Sequence, residues 1–386
     1  MEETVVLIVG AGPSGLGIAA CLTKKSIPYI LLEKEDCCAS LWKKRAYDRC
    51  NLHLAKEFCS LPFKPHANHV KRFMNKCDFI NYIDDYVNYF NINSYYFHRV
   101  ESAIFDENKE KWLVESKDLR FNVTKSFASK FLIVATGENS KSYTPSVPGL
   151  EEFGNAVIHS SEYKSGDEFK DKNVLVVGCG NSGMEICYDL CNSGANTSIV
   201  IRSPVHVFTK EVIFIAMTLL KYLSIQMVDK LAIFAGQILY GDLSKYGIYR
   251  PKKGPFFLKA TTGRSPVIDV GTIAKIKSGK IKVVPSIMSI SKDKVTFENG
   301  FESQFDAIIF ATGYKSAACD WLKDYDFVLN DNGFPKNSYP NHWKGKNGLY
   351  CAGLARMGLQ GASKDAIAIA NDIELALQNM VALEEL

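Results

Sequence analysis

Hydrophobic positions along the chain fall into short blocks that predict strands and helices in a repeating order. Aliphatic runs at Val5–Val9 and Val174–Val177 are each followed by a glycine-rich turn. Helical spacing then continues to Leu22 after the first turn and to Leu190 after the second. Because a short uninterrupted aliphatic run is typical of a parallel strand buried on both faces, the pattern predicts two strand–turn–helix units.

A second pair of apolar blocks shares a common ending. The segments Phe131–Gly137 and Ile308–Gly313 both end in Ala-Thr-Gly. We interpret them as the closing strands of the two units, and the small residues at their ends would let the backbone approach a cofactor. The residues assigned to cofactor binding on this ground are Ala135, Thr136, Gly137, Ala311, Thr312 and Gly313.

These blocks predict an α/β fold with two Rossmann-like dinucleotide-binding domains, the second inserted into the first. We expect residues 1–163 and 314–386 to form the first domain. Residues 164–313 would form the second domain, with a mostly helical insertion near 211–245.

Composition and charge narrow the class of protein. The 386 residues are 47% hydrophobic and 23% charged with a formal net charge of +4, as in a soluble globular protein without a nucleic-acid partner. The apolar stretch Val212–Leu220 is too short to span a bilayer. We interpret residues 212–239 as a buried core helix or part of a substrate tunnel, with an interfacial helix as the alternative.

The cysteines and the N-terminus indicate a cytoplasmic protein. The first residues lack the pattern of a signal peptide, so the 11 cysteines are expected to be reduced thiols. Peripheral association with the endoplasmic reticulum stays open. Cys187 and Cys191 lie one helical turn apart without further ligands nearby in sequence, so we expect no metal site.

The two glycine turns share the spacing Gly-x-Gly-x-x-Gly. The first glycine permits a tight turn, the second lets a pyrophosphate approach the backbone, and the third allows close packing of helix and strand. The phosphates then lie at the helix N-terminus, where free N–H groups favour an anion. The motif residues assigned to dinucleotide binding are Gly10, Gly12, Pro13, Ser14, Gly15, Gly178, Gly180, Asn181, Ser182 and Gly183.

The residues that follow the second strand of each unit differ in charge. Glu33 follows Tyr29–Leu32, and a carboxylate there accepts hydrogen bonds from ribose hydroxyls, which suits FAD or NAD. Arg202 and Ser203 follow Thr197–Ile201 and suit the 2′-phosphate of NADPH. This reasoning leaves the first dinucleotide open. FAD with NADPH is the economical pair, since a flavin accepts a hydride from a nicotinamide.

A reduced flavin passes its electrons to a disulfide, to another carrier or to oxygen. Neither Cys-x2-Cys nor Cys-x4-Cys occurs, and the adjacent Cys37 and Cys38 would form a strained bridge. The sequence also lacks iron–sulfur and haem motifs. Elimination therefore favours molecular oxygen as the acceptor.

The segment Glu151–Tyr163 resembles the FxGxxxHxxxY motif of the class B flavin monooxygenases. Phe153, His159 and Tyr163 match it, and Asn155 stands where the motif has glycine. Tyrosine rather than tryptophan at the last position argues against the Baeyer–Villiger subfamily. Over essentially the whole chain, the sequence resembles the plant YUCCA family within this class. The segments that carry this resemblance are Ala39–Arg49, Leu52–Pro62, Tyr249–Pro255, Ile268–Gly271, Gly348–Gly353, Gly358–Gly361 and Asp365–Ala366.

This resemblance implies oxidative decarboxylation of indole-3-pyruvate to indole-3-acetate, the auxin, with FAD, NADPH and molecular oxygen. It implies flavin-side contacts at Lys34, Leu41, Trp42 and Gly353. It also places His53 near the position where other flavin monooxygenases have an asparagine close to the flavin, so His53 is the candidate catalytic residue. Two alternatives stay open: oxygenation of nitrogen or sulfur in another substrate, and a non-catalytic protein that binds dinucleotides.

Overall fold

The computed structural model describes residues 1–384, which form two compact units. The first unit comprises Met1–Lys44, Lys56–Lys141 and the chain from Tyr314 onward. The second comprises Arg45–Ala55 and Ser142–Gly313, so the second unit interrupts the first twice along the sequence.

Nine α-helices and eighteen strands lie within the described residues. The helices are α1 (Pro13–Lys24), α2 (Lys76–Tyr89), α3 (Asn181–Asn192), α4 (Lys210–Leu219), α5 (Ile225–Tyr240), α6 (Pro255–Thr262), α7 (Thr272–Lys277), α8 (Ala318–Trp321) and α9 (Gly358–Glu384). The strands are β1 (Glu2–Val9), β2 (Tyr29–Leu32), β3 (His98–Asp106), β4 (Lys111–Asp118), β5 (Val123–Val134), β6 (Lys141–Ser142), β7 (Ala156–His159), β8 (Asn173–Val177), β9 (Asn196–Val200), β10 (Val207–Phe208), β11 (Val267–Ile268), β12 (Ile281–Val284), β13 (Ile287–Ser291), β14 (Lys294–Phe297), β15 (Glu302–Gln304), β16 (Ala307–Phe310), β17 (Tyr314–Lys315) and β18 (Leu349–Cys351).

The sheet of the first unit has the order β2-β1-β5-β4-β3, with β18 also paired to β5. The strands β1, β2, β18 and the second half of β5 run parallel, and β3 and β4 add an antiparallel edge. Leu7, Leu132 and Leu349 from three of these parallel strands lie in one core cluster and are fully buried. Helix α9 packs against α1.

The sheet of the second unit is parallel throughout, in the order β12-β9-β8-β16-β7. Its central strands are aliphatic on both faces, since Val174, Leu175 and Val176 are all fully buried. The small antiparallel sheet β13-β14-β15 adds a further core around Val295 and Phe297.

The two Ala-Thr-Gly strands are not the closing strands that the sequence suggested. Strand β5 lies between β1 and β4, and β16 lies between β8 and β7. In the first unit Val9 is in register with Val134, and in the second Val177 is in register with Phe310. Each Ala-Thr-Gly segment therefore leaves its sheet beside a glycine turn, because parallel neighbours end at the same edge.

The unit boundaries differ from those expected at residue 163. Residues 142–163 cluster with the second unit because β7 pairs with β16 along its whole length, from Ala156 to His159. Residues 45–55 cluster there as well, and the buried Tyr47 lies in the core of that unit. The sequence analysis described this segment only as part of a motif and predicted no strand there, and the partner of β7 is set by a long-range pairing.

Between β10 and β11 the chain forms the helices α4, α5 and α6. The inner faces of α4 and α5 pack around Phe208, Ile213, Ala232 and Ile268. Within residues 1–384, none of the helices combines the length and the apolar character that crossing a bilayer requires.

Candidate dinucleotide sites

The first glycine turn connects β1 to α1 through a backbone that side chains would block. Gly10 has φ +110°, and a Cβ atom there would lie 2.6 Å from the carbonyl oxygen of Ala135. At Gly15 a Cβ would lie 1.9 Å from the carbonyl oxygen of Gly10. Both glycines are therefore required by the turn itself, whatever it binds.

Gly12 is different, because a Cβ atom at this position would meet no atom within 4 Å. Its extended backbone caps the N-terminus of α1, which has no side-chain cap, and Pro13 begins the helix. The N–H groups of the first turn and the helix dipole thus face open space beside Gly12. This cradle fits the pyrophosphate of a dinucleotide.

Glu33 is buried beside this turn with both carboxylate oxygens held by backbone donors. Oε2 accepts from Ala11 N at 2.8 Å, and Oε1 accepts from Glu35 N at 3.0 Å. Burial raises the pKa of this carboxyl group. Each oxygen retains capacity for a second hydrogen bond, so ribose hydroxyls can be bound without displacing the backbone contacts. Lys34, which follows, is exposed.

Three remote segments complete the first cradle. Ala39 N donates to Ala11 O at 2.9 Å, so the chain meets the glycine loop just before the π-helical turn Leu41–Arg45, which contains Leu41 and Trp42. Gly353 has φ +68° and lies so close to Ser14 that a Cβ atom would be 2.0 Å from Ser14 Oγ.

The segment Ala135–Gly137 follows β5 beside Gly10, and a Cβ at Gly137 would also meet open space. Asp365, which the sequence analysis named within the family resemblance but did not assign to cofactor binding, is buried; its Oδ2 accepts from Gly353 N at 2.9 Å and its Oδ1 lies 2.9 Å from His342 Nε2. Apart from that resemblance, its only sequence signal is a carboxylate among small apolar residues of α9.

The second glycine turn repeats the first in its backbone geometry. Gly178 also has φ +110°, with a hypothetical Cβ 2.6 Å from Ala311 O, and at Gly183 a Cβ would lie 1.9 Å from Gly178 O. A Cβ at Gly180 would meet nothing within 4 Å, and α3 also lacks a side-chain cap. The second cradle therefore fits a pyrophosphate for the same reasons.

Side chains around the second turn differ from those around the first. Asn181 Oδ1 accepts from Ile268 N at 2.8 Å and so ties the start of α3 to β11. Ser182, the next residue, is half-buried. Arg202 is exposed after the end of β9, and Ser203 is half-buried beside it.

Arg264 is a second guanidinium in this region that the sequence analysis missed. Its Nη2 donates to Pro204 O, next to Ser203, and its charge lowers the otherwise raised pKa of Cys179 in the glycine turn. No motif signals this residue, because 62 positions separate it from Arg202 and only the fold brings the two segments together.

The motif histidine, His159, holds Gly313, the glycine of the Ala-Thr-Gly segment in the second unit. Its Nδ1 accepts from Ser161 N at 3.2 Å, so Nε2 carries the hydrogen and donates to Gly313 O at 3.1 Å. Burial lowers the pKa of this ring, which agrees with a neutral tautomer. Thr312 Oγ1 donates to Tyr143 O, so both residues after Ala311 are held by residues 143–159.

The other motif residues are structural. Phe153 lies in a core cluster, and the buried Tyr163 donates from Oη to Asp189 Oδ2 at 2.6 Å. Asn155 Nδ2 donates to Phe305 O at 3.0 Å, and the backbone of Asn155 does not adopt a positive φ. The motif glycine is therefore not needed at this position, and asparagine adds a hydrogen bond.

His53 lies in the segment that clusters with the second unit. Its Nε2 is 3.3 Å from Oε1 of Glu185, a fully buried carboxylate near the start of α3. The Tyr47 hydroxyl donates to Glu185 Oε2, and burial raises the pKa of that phenol, which keeps it a donor. Sequence reasoning missed Glu185 and Tyr47, although a carboxylate between Met184 and Ile186 in an amphipathic helix is a usable signal.

Comparison with known proteins extends over the whole chain. A family model described as pyridine nucleotide-disulphide oxidoreductase matches residues 7–214. The chain is 57% identical over 379 residues to the probable indole-3-pyruvate monooxygenase YUCCA10 of Arabidopsis thaliana, covering 98% of this chain and 99% of that protein. It is 45% identical to indole-3-pyruvate monooxygenase YUCCA6 of the same plant, covering 95% and 89%.

Solved structures share the fold at low sequence identity. A flavin-containing monooxygenase from Stenotrophomonas maltophilia superposes with a TM-score of 0.75 at 18% identity, covering 98% of this chain and 100% of the other. The bacillithiol disulfide reductase Bdr from Bacillus cereus gives 0.69 at 19% identity, covering 96% and 99%.

These findings confirm the α/β fold with two Rossmann-like domains, the enzyme class and the FAD and NADPH cofactor pair. The two cradles described above carry the glycines that such cofactors require. With a relative 57% identical along nearly its full length, the chain belongs to the YUCCA family of flavin monooxygenases.

Proposed function

We propose that this protein oxidatively decarboxylates indole-3-pyruvate to indole-3-acetate with NADPH and molecular oxygen. The proposal rests on the similarity of nearly the whole chain to indole-3-pyruvate monooxygenases, together with the two intact dinucleotide cradles. When bound, the cofactors supply the redox chemistry, since the nicotinamide donates a hydride and the reduced flavin activates oxygen. The side chains bind, orient and shield the reactants.

The first unit is proposed to be the FAD domain. The N-terminus of α1 and the open face of Gly12 would hold the pyrophosphate, and Glu33 would hold the ribose. Asp365 would act on the flavin side by positioning Gly353, which it holds through the backbone N–H. Lys34, Leu41 and Trp42 stay proposed contacts of this cofactor.

The second unit is proposed to be the NADPH domain. Gly180 and the N-terminus of α3 would hold its pyrophosphate. Arg202 and Ser203 would bind the 2′-phosphate, and Arg264 adds a second positive charge to the same neighbourhood. Two guanidinium groups explain a preference for the phosphorylated dinucleotide better than one exposed side chain does.

His53 is proposed to face the keto acid, with Glu185 as a positioning residue behind it. The carboxylate is buried and held by Tyr47, so its Oε1 presents a fixed acceptor to the imidazole. The carboxylate would orient the imidazole electrostatically from this distance, as carboxylates do for histidines in other sites.

Product analysis tests the proposed reaction. The purified protein is incubated with NADPH, oxygen and indole-3-pyruvate, phenylpyruvate or a simple amine or thioether, and products are identified by mass spectrometry. Indole-3-acetate and carbon dioxide, formed in step with NADPH loss, are expected. Oxygenated amine or thioether without decarboxylation would favour the nitrogen- or sulfur-oxygenating alternative. An absence of NADPH oxidation by flavin-loaded protein would favour a non-catalytic role.

A disulfide reductase is the second enzyme class to test, since such an enzyme shares the fold. None of the 11 cysteines, all of which lie among the described residues, forms a disulfide, and this includes the adjacent Cys37 and Cys38. Turnover with a disulfide under nitrogen, and none with oxygen and keto acid, would replace the monooxygenase proposal. The cytoplasmic location stays a proposal.

A further inference from the structure

The outer face of helix α5 carries apolar side chains where a helix of a globular protein normally carries polar ones. Met227, Leu231, Phe234 and Ile238 are 50–68% exposed. Their spacing of four, three and four residues places them on one stripe of the helix. Exposed apolar stripes of this kind mark an interaction surface.

The opposite face of α5 already has its packing partners. Val228, Ala232 and Gly236 are buried on that side, and Ala232 belongs to the core cluster with Phe208 and Ile268. Asp229 is also buried, where it accepts hydrogen bonds from Phe256 N and Phe257 N. Helix α5 therefore has a separate inner face that is already packed and hydrogen-bonded, and the stripe lies on its outer face.

Neighbouring segments extend the exposed apolar surface. Ile215 on α4 is 56% exposed, and Tyr222 in the connection to α5 is 79% exposed. Helix α4 packs against α5. We call α4, α5 and their connection, residues 210–240, the helical arm.

The charges around the helical arm are mainly positive. On α5, Lys230 is exposed within one turn of both Met227 and Phe234. Within the helical arm the exposed basic residues are Lys210, Lys221 and Lys230, and the exposed acidic residue is Glu211. An apolar stripe flanked by lysines has the chemistry of a helix that lies in the interface of an anionic membrane.

We propose that the helical arm docks on the surface of an anionic lipid bilayer, with the stripe of α5 inserted at headgroup depth. The apolar side chains would enter the boundary of the acyl chains while the lysines reach the lipid phosphates. A second copy of this chain fits less well, since a two-fold contact joins the same patch of both copies and would bring two lysine-bearing surfaces together. The inference goes beyond the reaction proposed above and does not depend on it.

Vesicle flotation of the flavin-loaded protein tests this surface. Wild type should float with vesicles of three parts phosphatidylcholine to one part phosphatidylserine, less with phosphatidylcholine alone, and less again at high salt. The triple variant Leu231→Ser, Phe234→Ser and Ile238→Ser should lose binding about tenfold or more, because three inserted side chains are removed. A wild type that stays unbound with anionic vesicles overturns the proposal.

Two further variants make the result specific. The control Ile104→Ser, Phe121→Ser and Leu375→Ser removes exposed apolar side chains from the first unit and should float as wild type does. Lys221→Glu with Lys230→Glu, which leaves the stripe intact, should weaken anionic binding about fivefold per residue. Equal loss in the control would overturn the proposal. Conversion of a wild-type dimer to a monomer by the stripe variant, without flotation of either, would assign the surface to a second copy.

Discussion

The two glycine cradles have nearly the same backbone and different chemical surroundings. Gly10 and Gly178 share a φ of +110° and the same 2.6 Å approach to the neighbouring strand. In the first unit the charged residue after the second strand is Glu33, which is buried and held by two backbone donors. In the second it is Arg202, which is exposed. The backbone therefore makes a dinucleotide site, and the side chain after the second strand selects the dinucleotide.

The largest effect is expected from the third glycine of each turn. A Cβ at Gly15 or Gly183 would overlap a backbone carbonyl at 1.9 Å, so alanine forces the strand and helix apart. Gly15→Ala and Gly183→Ala should each cost about 3 kcal/mol in the free energy of unfolding. Chemical denaturation measures this loss in the free energy of unfolding. A change below about 0.5 kcal/mol, which is usual for a surface substitution, would contradict the close packing of each third glycine against its turn.

The second glycine should separate cofactor binding from folding. Gly12→Ala and Gly180→Ala add a methyl group into open space, so the unfolding free energy of the cofactor-free protein should change little. Gly12→Ala should lower FAD content, and Gly180→Ala should weaken NADPH affinity roughly tenfold to a hundredfold with FAD retained. Absorbance spectra and NADPH titration measure the two losses. Each variant serves as the control for the other, and loss of the same cofactor in both would break the assignment of one dinucleotide to each unit.

Variants of Arg202 and Arg264 test whether positive charge at the second cradle selects NADPH over NADH. Arg202→Ala should raise KM for NADPH about tenfold to a hundredfold and leave NADH nearly unchanged, because a charge-assisted contact to the phosphate is lost. Arg264→Ala should have a smaller effect in the same direction, since its Nη2 is already engaged with Pro204 O. Steady-state kinetics with both dinucleotides decide this. If Arg202→Ala keeps the preference for NADPH over NADH, Arg202 is a solvent-exposed charge that does not bind the 2′-phosphate.

Variants at His53 and at its neighbour Glu185 test whether these residues act in flavin reduction or in the later formation of product. His53→Ala should keep NADPH oxidation and divert a larger share of it to hydrogen peroxide, because hydride transfer does not need the imidazole. Glu185→Gln should produce a weaker diversion, since the amide removes the carboxylate that lies 3.3 Å from the His53 ring. The ratio of indole-3-acetate to peroxide measures both. Loss of flavin reduction in His53→Ala would assign His53 to cofactor binding.

The smallest expected effect is a pH dependence of the free energy of unfolding, which has opposite signs for His159 in the second unit and Glu33 in the first. Burial lowers the pKa of His159, so the folded state favours the neutral ring and the second unit loses stability as pH falls below 6.5. Burial raises the pKa of Glu33, so its contribution is lost as pH rises above 4.5. His159→Gln should flatten the slope of unfolding free energy between pH 6.5 and its lowered value. An unchanged slope would show that the ring is not held neutral.

Local features of both cradles could be predicted from the sequence. Aliphatic runs followed by glycines at fixed spacing specify strand, tight turn and helix through short-range stereochemistry, so Val5–Val9 and Val174–Val177 were placed within the strands β1 and β8. Glu33 and Arg202 were assigned by their distance from the turn, which the strand–helix–strand unit determines. The resemblance in the segment Glu151–Tyr163 indicated the family, which its relatives confirm.

Tertiary structure alone decided which segments meet. The compact units divide at Ser142 and not near residue 163, because β7 pairs with β16, and sequence periodicity reports the face of a strand and not its neighbour. The same reason hides the approach of Arg264 to Pro204, and Gly353, which lies beside Ser14, was assigned only through the resemblance. The exposed stripe of α5 is the clearest case. Apolar spacing predicted a helix there, but only the packing of its other face against Phe208 and Ile268 shows that this stripe faces solvent.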